Sequence, residues 1–136
     1  MDLLWRNNID SKKVVLGLGF YGRAFTLQDS GCSKPGCPFA GGAKKGKCTG
    51  ESGILSNSEI QDIISQNNVK PVLFKKDAIK YIAWDSDQWA SCDDEETLQM
   101  KRQYANKLCL GGTIVWALDL EKPGVDTSVN NLTNII

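Results

Sequence analysis

Apolar residues cluster most tightly in Val14-Val15-Leu16-Gly17-Leu18-Gly19, a short run that reads as a strand buried on both faces. The run continues through about Phe25, and polar tips enter it at Tyr21 and Arg23. Upstream, Leu3, Leu4 and Trp5 are the apolar remnant of a helix tail over Asp2 to Asn8. Downstream, Ile60, Ile63 and Ile64 recur at helical spacing. Ser56 or Asn57 caps that helix, Glu59 lies in its first turn, and Asn67-Asn68 ends it. Residues 71–74, 80–84 and 88–92 predict short strands, close enough in sequence for antiparallel pairing. Asp93 or Asp94 then caps a second helix, with Glu96 where a capping-box acid would sit. Its apolar face is Leu98, Ala105, Leu108 and Cys109, and Gly111-Gly112 stops it. Thr113 to Leu118 predicts a last buried strand. Residues 28–52, rich in Gly, Pro, Ser and Lys, read as loop, and the tail beyond Pro123 is polar.

The order is therefore strand, small α+β unit, helix, strand. Without the α+β unit, one βαβ step remains. Composition alone also allows a free-standing α+β protein. At 136 residues and 41% apolar, the chain suffices for one compact domain. A complete (β/α)8 barrel takes about 250 residues. Sixteen basic and sixteen acidic residues cancel, so no strong field points to nucleic acid or an anionic membrane. The absence of histidine excludes His-based catalysis and His metal sites in this chain. No apolar run approaches the roughly 20 residues of a membrane-spanning helix.

Met1-Asp2-Leu3-Leu4-Trp5-Arg6 lacks a signal-peptide core and, taken literally, leaves the chain in the cytosol. The five cysteines point elsewhere, since Cys32, Cys37 and Cys48 fall in the Gly- and Pro-rich stretch. Such a loop reads as disulfide-stapled and extracellular. The expectation that reconciles both is a secreted protein whose amino-terminal part is missing. Cys37 and Cys48 flank the Gly-rich segment and are expected to pair. Cys32 is an alternative partner for either, or for Cys92. Cys109, on the helix face, is expected to be a free buried thiol. A cystine closing a loop of about 15 residues contributes about 3 kcal/mol in the chain-entropy model. Asn131-Leu132-Thr133 is a candidate N-glycosylation site. No metal-ligand spacing and no cofactor motif is present.

Residues Lys13 to Phe25 resemble the seventh barrel strand of family 18 glycoside hydrolases, the chitinases and chitinase-like lectins. Leu110-Gly111-Gly112-Thr113-Ile114-Val115-Trp116-Ala117-Leu118-Asp119-Leu120 resembles the eighth. Gly53-Ile54-Leu55-Ser56-Asn57-Ser58-Glu59-Ile60 is similar to a helix start in the α+β domain inserted between them. The cysteine-rich segment looks most like the fungal branch, including chitinases related to killer-toxin subunits. The resemblance implies an α/β fold: the last βαβ portion of a TIM barrel with a small α+β insertion. Its parts are barrel portions at 1–27 and 93–122, the insertion at 28–92, and a tail at 123–136.

The reaction that the resemblance implies is hydrolysis of β-1,4-linked N-acetylglucosamine polymers. The substrate's own N-acetyl oxygen attacks, and one protonated Glu is the acid. That Glu ends an Asp-x-x-Asp-x-Asp-x-Glu run, which this chain lacks. The acidic Asp93-Asp94-Glu95-Glu96 has the wrong spacing and suits a helix amino terminus. The chain thus carries walls of a site and no catalytic acid, and should be inactive alone. By resemblance, Trp116 floors the subsite where the bond breaks, its flat face stacking on a pyranose. Tyr21 and Arg23 reach sugar hydroxyls or neighbouring acids, and Glu59 faces the cleft from the insertion. The alternatives are a core Trp116, a buried Tyr21 hydroxyl with a surface Arg23, and a solvated helix-start Glu59. Trp84 and Trp89 read as core and Asp119 as a strand end. The implied partners are chitin or chitooligosaccharides and the missing barrel strands. A chitin-binding lectin-like relative and a disulfide-held secreted α+β module are the rival readings.

Overall fold

The computed structural model describes residues 1–120. The sequon at Asn131 and the polar tail from residue 123 lie outside the described residues. A short helix, α1 (Asp2–Arg6), is followed by a 3-10 turn at Ser11–Lys13. The apolar run then forms two strands, not one. Strand β1 (Val15–Gly19) pairs in parallel with β8 (Gly112–Trp116), from Val15 opposite Gly112 to Gly19 opposite Trp116. Strand β2 (Tyr21–Leu27) opens a second, six-stranded sheet. Phe20, fully buried between them, ties the two sheets together. Its N–H donates to the Trp116 carbonyl at 2.8 Å, and its own carbonyl accepts from the Asn57 N–H at 3.1 Å.

The second sheet runs β3 (Phe39–Gly42), β2, β7 (Gln88–Cys92), β6 (Ile79–Trp84), β5 (Val72–Phe74), with β4 (Ile54–Ser56) beside the start of β2. All its pairs are antiparallel, as expected for β5 to β7. The segment read as loop contains β3, and the segment read as a helix start contains β4. Both fill the free edge of the long β2, whose unpaired amides would otherwise need partners. Helix α2 (Asn57–Asn67) covers one face of this sheet. There Ile60 packs with Leu55, Ala24, Ile82 and Ala90. Gly22 keeps the approach open: a Cβ would lie 2.5 Å from both Ile60 Cδ1 and the Ser91 carbonyl oxygen. Ser56 is the cap, in a full capping box with Glu59, and Asn68 closes the helix in the left-handed conformation.

Helix α3 (Glu95–Lys107) packs on the first sheet, where Leu98 meets Leu18 and Phe20. Asp94 caps it, and the reciprocal capping-box partner is Thr97, not Glu96. The acidic cluster is absorbed locally. Asp93 pairs with Lys101, and Lys80 bridges Asp94 at 2.5 Å and Glu96 at 2.8 Å. The helix stops at Lys107, before the glycines, because Cys109 itself takes the left-handed turn at φ 51°. That turn leaves the Cys109 thiol exposed, not buried as expected. Strand β8 ends at Trp116, and a 3-10 turn at Leu118–Leu120, holding Asp119, follows.

The disulfide joins Cys32 to Cys37, with Cα atoms 5.7 Å apart, in place of the expected Cys37–Cys48 pair. The Lys34-Pro35-Gly36 turn brings the two together, with the Cys37 N–H donating to the Lys34 carbonyl at 3.1 Å. Cys48 is drawn instead towards α2, its N–H donating to Glu59 Oε1 at 2.6 Å, and its thiol is exposed. Cys92 is free and buried. Burial, then the Asp93 and Asp94 carboxylates, push its thiol up to about 12. The disulfide loop roofs Trp89, whose indole N–H donates to the Ser33 carbonyl at 2.9 Å. Trp89 is core, stacked on Tyr81 with centroids 5.9 Å apart, and Trp84 packs partly buried against the α2 core.

Candidate functional site

Alternation along β1 and β8 gives the first sheet two unlike faces. Leu16, Leu18 and Val115 turn towards α3. Val15, Ile114 and Trp116 lie on the other face, at 52%, 56% and 69% exposure. Trp116 stands at the carboxyl end of that face, and its peptide bond to Ala117 is cis. Large apolar side chains this exposed on one face of a sheet mark a surface built to be covered.

Tyr21 reaches the same place from the second sheet. Gly19 lies in register with Trp116, and a Cβ on Gly19 would sit 3.3 Å from Tyr21 Cε1. The tyrosine ring therefore lies over Gly19, beside the Trp116 position, with Phe20 holding the junction rigid. Arg23, two residues on and on the same face of β2, places its guanidinium carbon 5.6 Å from the centre of the Tyr21 ring. Arg23 is exposed, and no ion pair engages it among the described residues. An indole face, a phenol and a cation thus converge where the two sheets meet. Such rings can stack on a flat apolar ligand face, and a phenol and a guanidinium can hydrogen-bond hydroxyl or carboxylate oxygens.

Glu59 goes elsewhere. It is buried in the wall of a separate pocket beneath α2, and its carboxylate is fully engaged. Oε1 accepts from the N–H groups of Cys48 at 2.6 Å and Thr49 at 3.2 Å. Oε2 accepts from the Ser56 N–H at 2.8 Å, and from the Ser56 and Thr49 hydroxyls at 3.0 Å each. Burial pushes this carboxyl up. The amides of Ser56, Cys48 and Thr49 outweigh it and hold the group below its ordinary 4.5. In the structure Glu59 organises the 46–49 loop. One residue that sequence reasoning missed is Ile54, which pairs across from Arg23 and shares its face. Only the strand register reveals it, since β4 is too short to show alternation.

The model of glycosyl hydrolases family 18 matches residues 1–121. The chain belongs to glycosyl hydrolase family 18. A secreted chitinase LysM12 of Penicillium expansum is 32% identical over 90% of this chain, though over only 9% of that protein. A human protein, YKL-39, described as a pseudo-chitinase with retained chitooligosaccharide binding, superposes with a TM-score of 0.81 at 28% identity, over 88% of this chain and 32% of that one. A class V chitinase from Nicotiana tobaccum, solved with NAG4, gives 0.80 at 25% identity, over 89% and 34%. The family 18 chain described here thus spans about a third of the solved structures and a smaller share of the Penicillium relative. Its mixed α/β fold is that of chitinase relatives, and the sequence resemblance to family 18 holds.

Proposed function

We propose that this chain is the carboxyl-terminal wall of a secreted chitinase cleft. Strands β1 and β8 with α3 form the last βαβ step of a (β/α)8 barrel, and the second sheet with α2 is its inserted α+β unit. The exposed Val15 and Ile114 of β1 and β8 are the surface that the remaining barrel strands cover, Trp116 staying open at its carboxyl end, and those strands supply the Asp-x-x-Asp-x-Asp-x-Glu acid. The whole protein hydrolyses β-1,4-linked N-acetylglucosamine polymers with retention, the substrate's N-acetyl oxygen attacking the anomeric carbon. Trp116 floors the reacting subsite, and Tyr21 and Arg23 hold sugar hydroxyls. Glu59 contributes by positioning the insertion loop. The Cys32–Cys37 disulfide and the secreted relative support an extracellular location. The observation that carries the reading is the convergence of exposed Trp116 with Tyr21 and Arg23 at the carboxyl end of a parallel pair, where barrel enzymes place their sites.

A second reading, a chitin-binding relative without activity, is favoured by the pseudo-chitinase neighbour. Turnover of chitotetraose separates the two. The 136-residue chain alone should release no product. A polypeptide in which the same reading frame continues upstream through the acidic strand should release product with retained configuration. Turnover by the chain alone would defeat the assignment of a missing acid. Binding without turnover by the longer polypeptide would leave the lectin reading.

A further inference from the structure

Beneath α2, on the opposite face of the second sheet from Tyr21 and Arg23, lies a pocket of about 400 Å³. That volume falls within the roughly 300–1,000 Å³ of small-molecule sites. Its wall is amphipathic. Leu55, Ile63 and Trp84 supply apolar surface, and Trp84 is only partly buried. Ser58 and Gln66 project from α2 eight residues apart, with Asp62 between them, so one helix face forms a polar ridge. The 44–48 loop makes the facing wall. Its lining charges balance: Lys44, Lys45 and Lys47 stand with Glu59, Asp62 and Asp85, and Lys44 pairs with Asp85 at 3.2 Å. A bound anion would meet carboxylates, and a cation would meet lysines. A neutral, polyhydroxylated ring with an apolar face fits both the aromatic wall and the hydroxyl and amide ridge.

We infer that this pocket is a second carbohydrate site, separate from the cleft wall, that holds one end of a neutral β-linked oligosaccharide. The choice of an N-acetylglucosamine oligomer as its ligand rests on the chitinase reading; the site itself does not. It would give the insertion unit its own hold on an insoluble polymer.

Cys48 gives a direct reporter, because its exposed thiol lies in the pocket wall while that of Cys109 lies beyond α3. The folded chain is alkylated with iodoacetamide, with and without chitotetraose, and each cysteine's rate is read by mass spectrometry. At ligand about ten times its dissociation constant, Cys48 labelling should slow about ten-fold while Cys109 labelling does not change. The protection should persist in Trp116→Ala and be lost in Gln66→Ala and in Trp84→Ala. The exposed Gln66→Ala keeps the test valid if Trp84→Ala fails to fold. Unprotected Cys48 overturns the second site, whether or not a Trp116 response shows the cleft wall to be intact. Protection that Trp116→Ala abolishes also overturns it, as does equal protection by inorganic phosphate.

Discussion

Glu59→Ala should cost at least about 3 kcal/mol of stability in the second sheet, the largest loss expected from any single polar truncation in the chain. Removing the carboxylate strands the N–H groups of Ser56, Cys48 and Thr49, which it accepts at 2.6 to 3.2 Å. Each buried donor left without a partner costs about 1–3 kcal/mol, less where water reaches the loop. The cap of α2 and the path of residues 46–49 fail together, because one side chain serves both. Glu59→Gln keeps one acceptor oxygen and should fall between the two. Since the folded carboxyl lies below its ordinary 4.5, its contribution is present above that pH and is lost as pH falls through the folded value. Urea melts followed by circular dichroism at pH 7 and below pH 4 check both statements. The gap between wild type and Glu59→Gln should narrow in acid. A Glu59→Ala chain as stable as wild type, with unchanged acid sensitivity, would show that the carboxylate network contributes nothing.

Trp116→Ala should leave folding nearly intact and weaken sugar binding sharply. At 69% exposure the indole contributes little core, so the cost should stay far below the 3–5 kcal/mol of a buried Trp truncation. Aromatic stacking on a planar ligand is worth about 1–3 kcal/mol by the scale for bases, or roughly 5- to 150-fold in chitooligosaccharide affinity. If the proposed chitinase reading holds, kcat of the longer polypeptide should fall together with kcat/KM, because the distorted ring must be held in the transition state. Melting curves and turnover on one preparation separate the roles. A destabilised variant with normal turnover per folded molecule would return Trp116 to the core.

Much of this was legible in the residues. Ser56 was legible as one of two candidate caps and Glu59 as a first-turn acid, and the isoleucines at 60, 63 and 64 marked the apolar face of α2; the capping box between Ser56 and Glu59 was not. The apolar run at 14–19 and residues 113–118 were legible as strands, but their expected burial is wrong for one face: Val15, Ile114 and Trp116 are exposed, because α3 covers only the side of Leu16, Leu18 and Val115. The division of the first run at Phe20 was not legible, because β-period alternation continues across the break and only the hydrogen bonds of Phe20 distinguish the two sheets. Strands β3 and β4 were missed because Gly41, Gly42 and a three-residue segment carry no pattern of their own; the edge of β2 recruits them. The cysteine pairing was misread because sequence flanking ignores the Pro35-Gly36 turn, which closes the shorter loop. For the site, the resemblance to family 18 implied sugar contact at Trp116, Tyr21 and Arg23, which the residue types alone did not. Glu59 looked equally available until its five acceptor contacts were seen.

The proposed chitooligosaccharide wall of Trp116, Tyr21 and Arg23 should respond to sugar as one unit. Nuclear magnetic resonance of the ¹⁵N-labelled chain during a chitotetraose titration tests it most directly, because each tryptophan indole N–H reports separately. The Trp116 indole and the Tyr21 and Arg23 amides should shift together along one saturating curve, while the indoles of Trp5 and of Trp89 under its disulfide loop stay fixed. A Trp116 signal that does not move while the sugar binds elsewhere, or no saturable shift at any of the three, would contradict it.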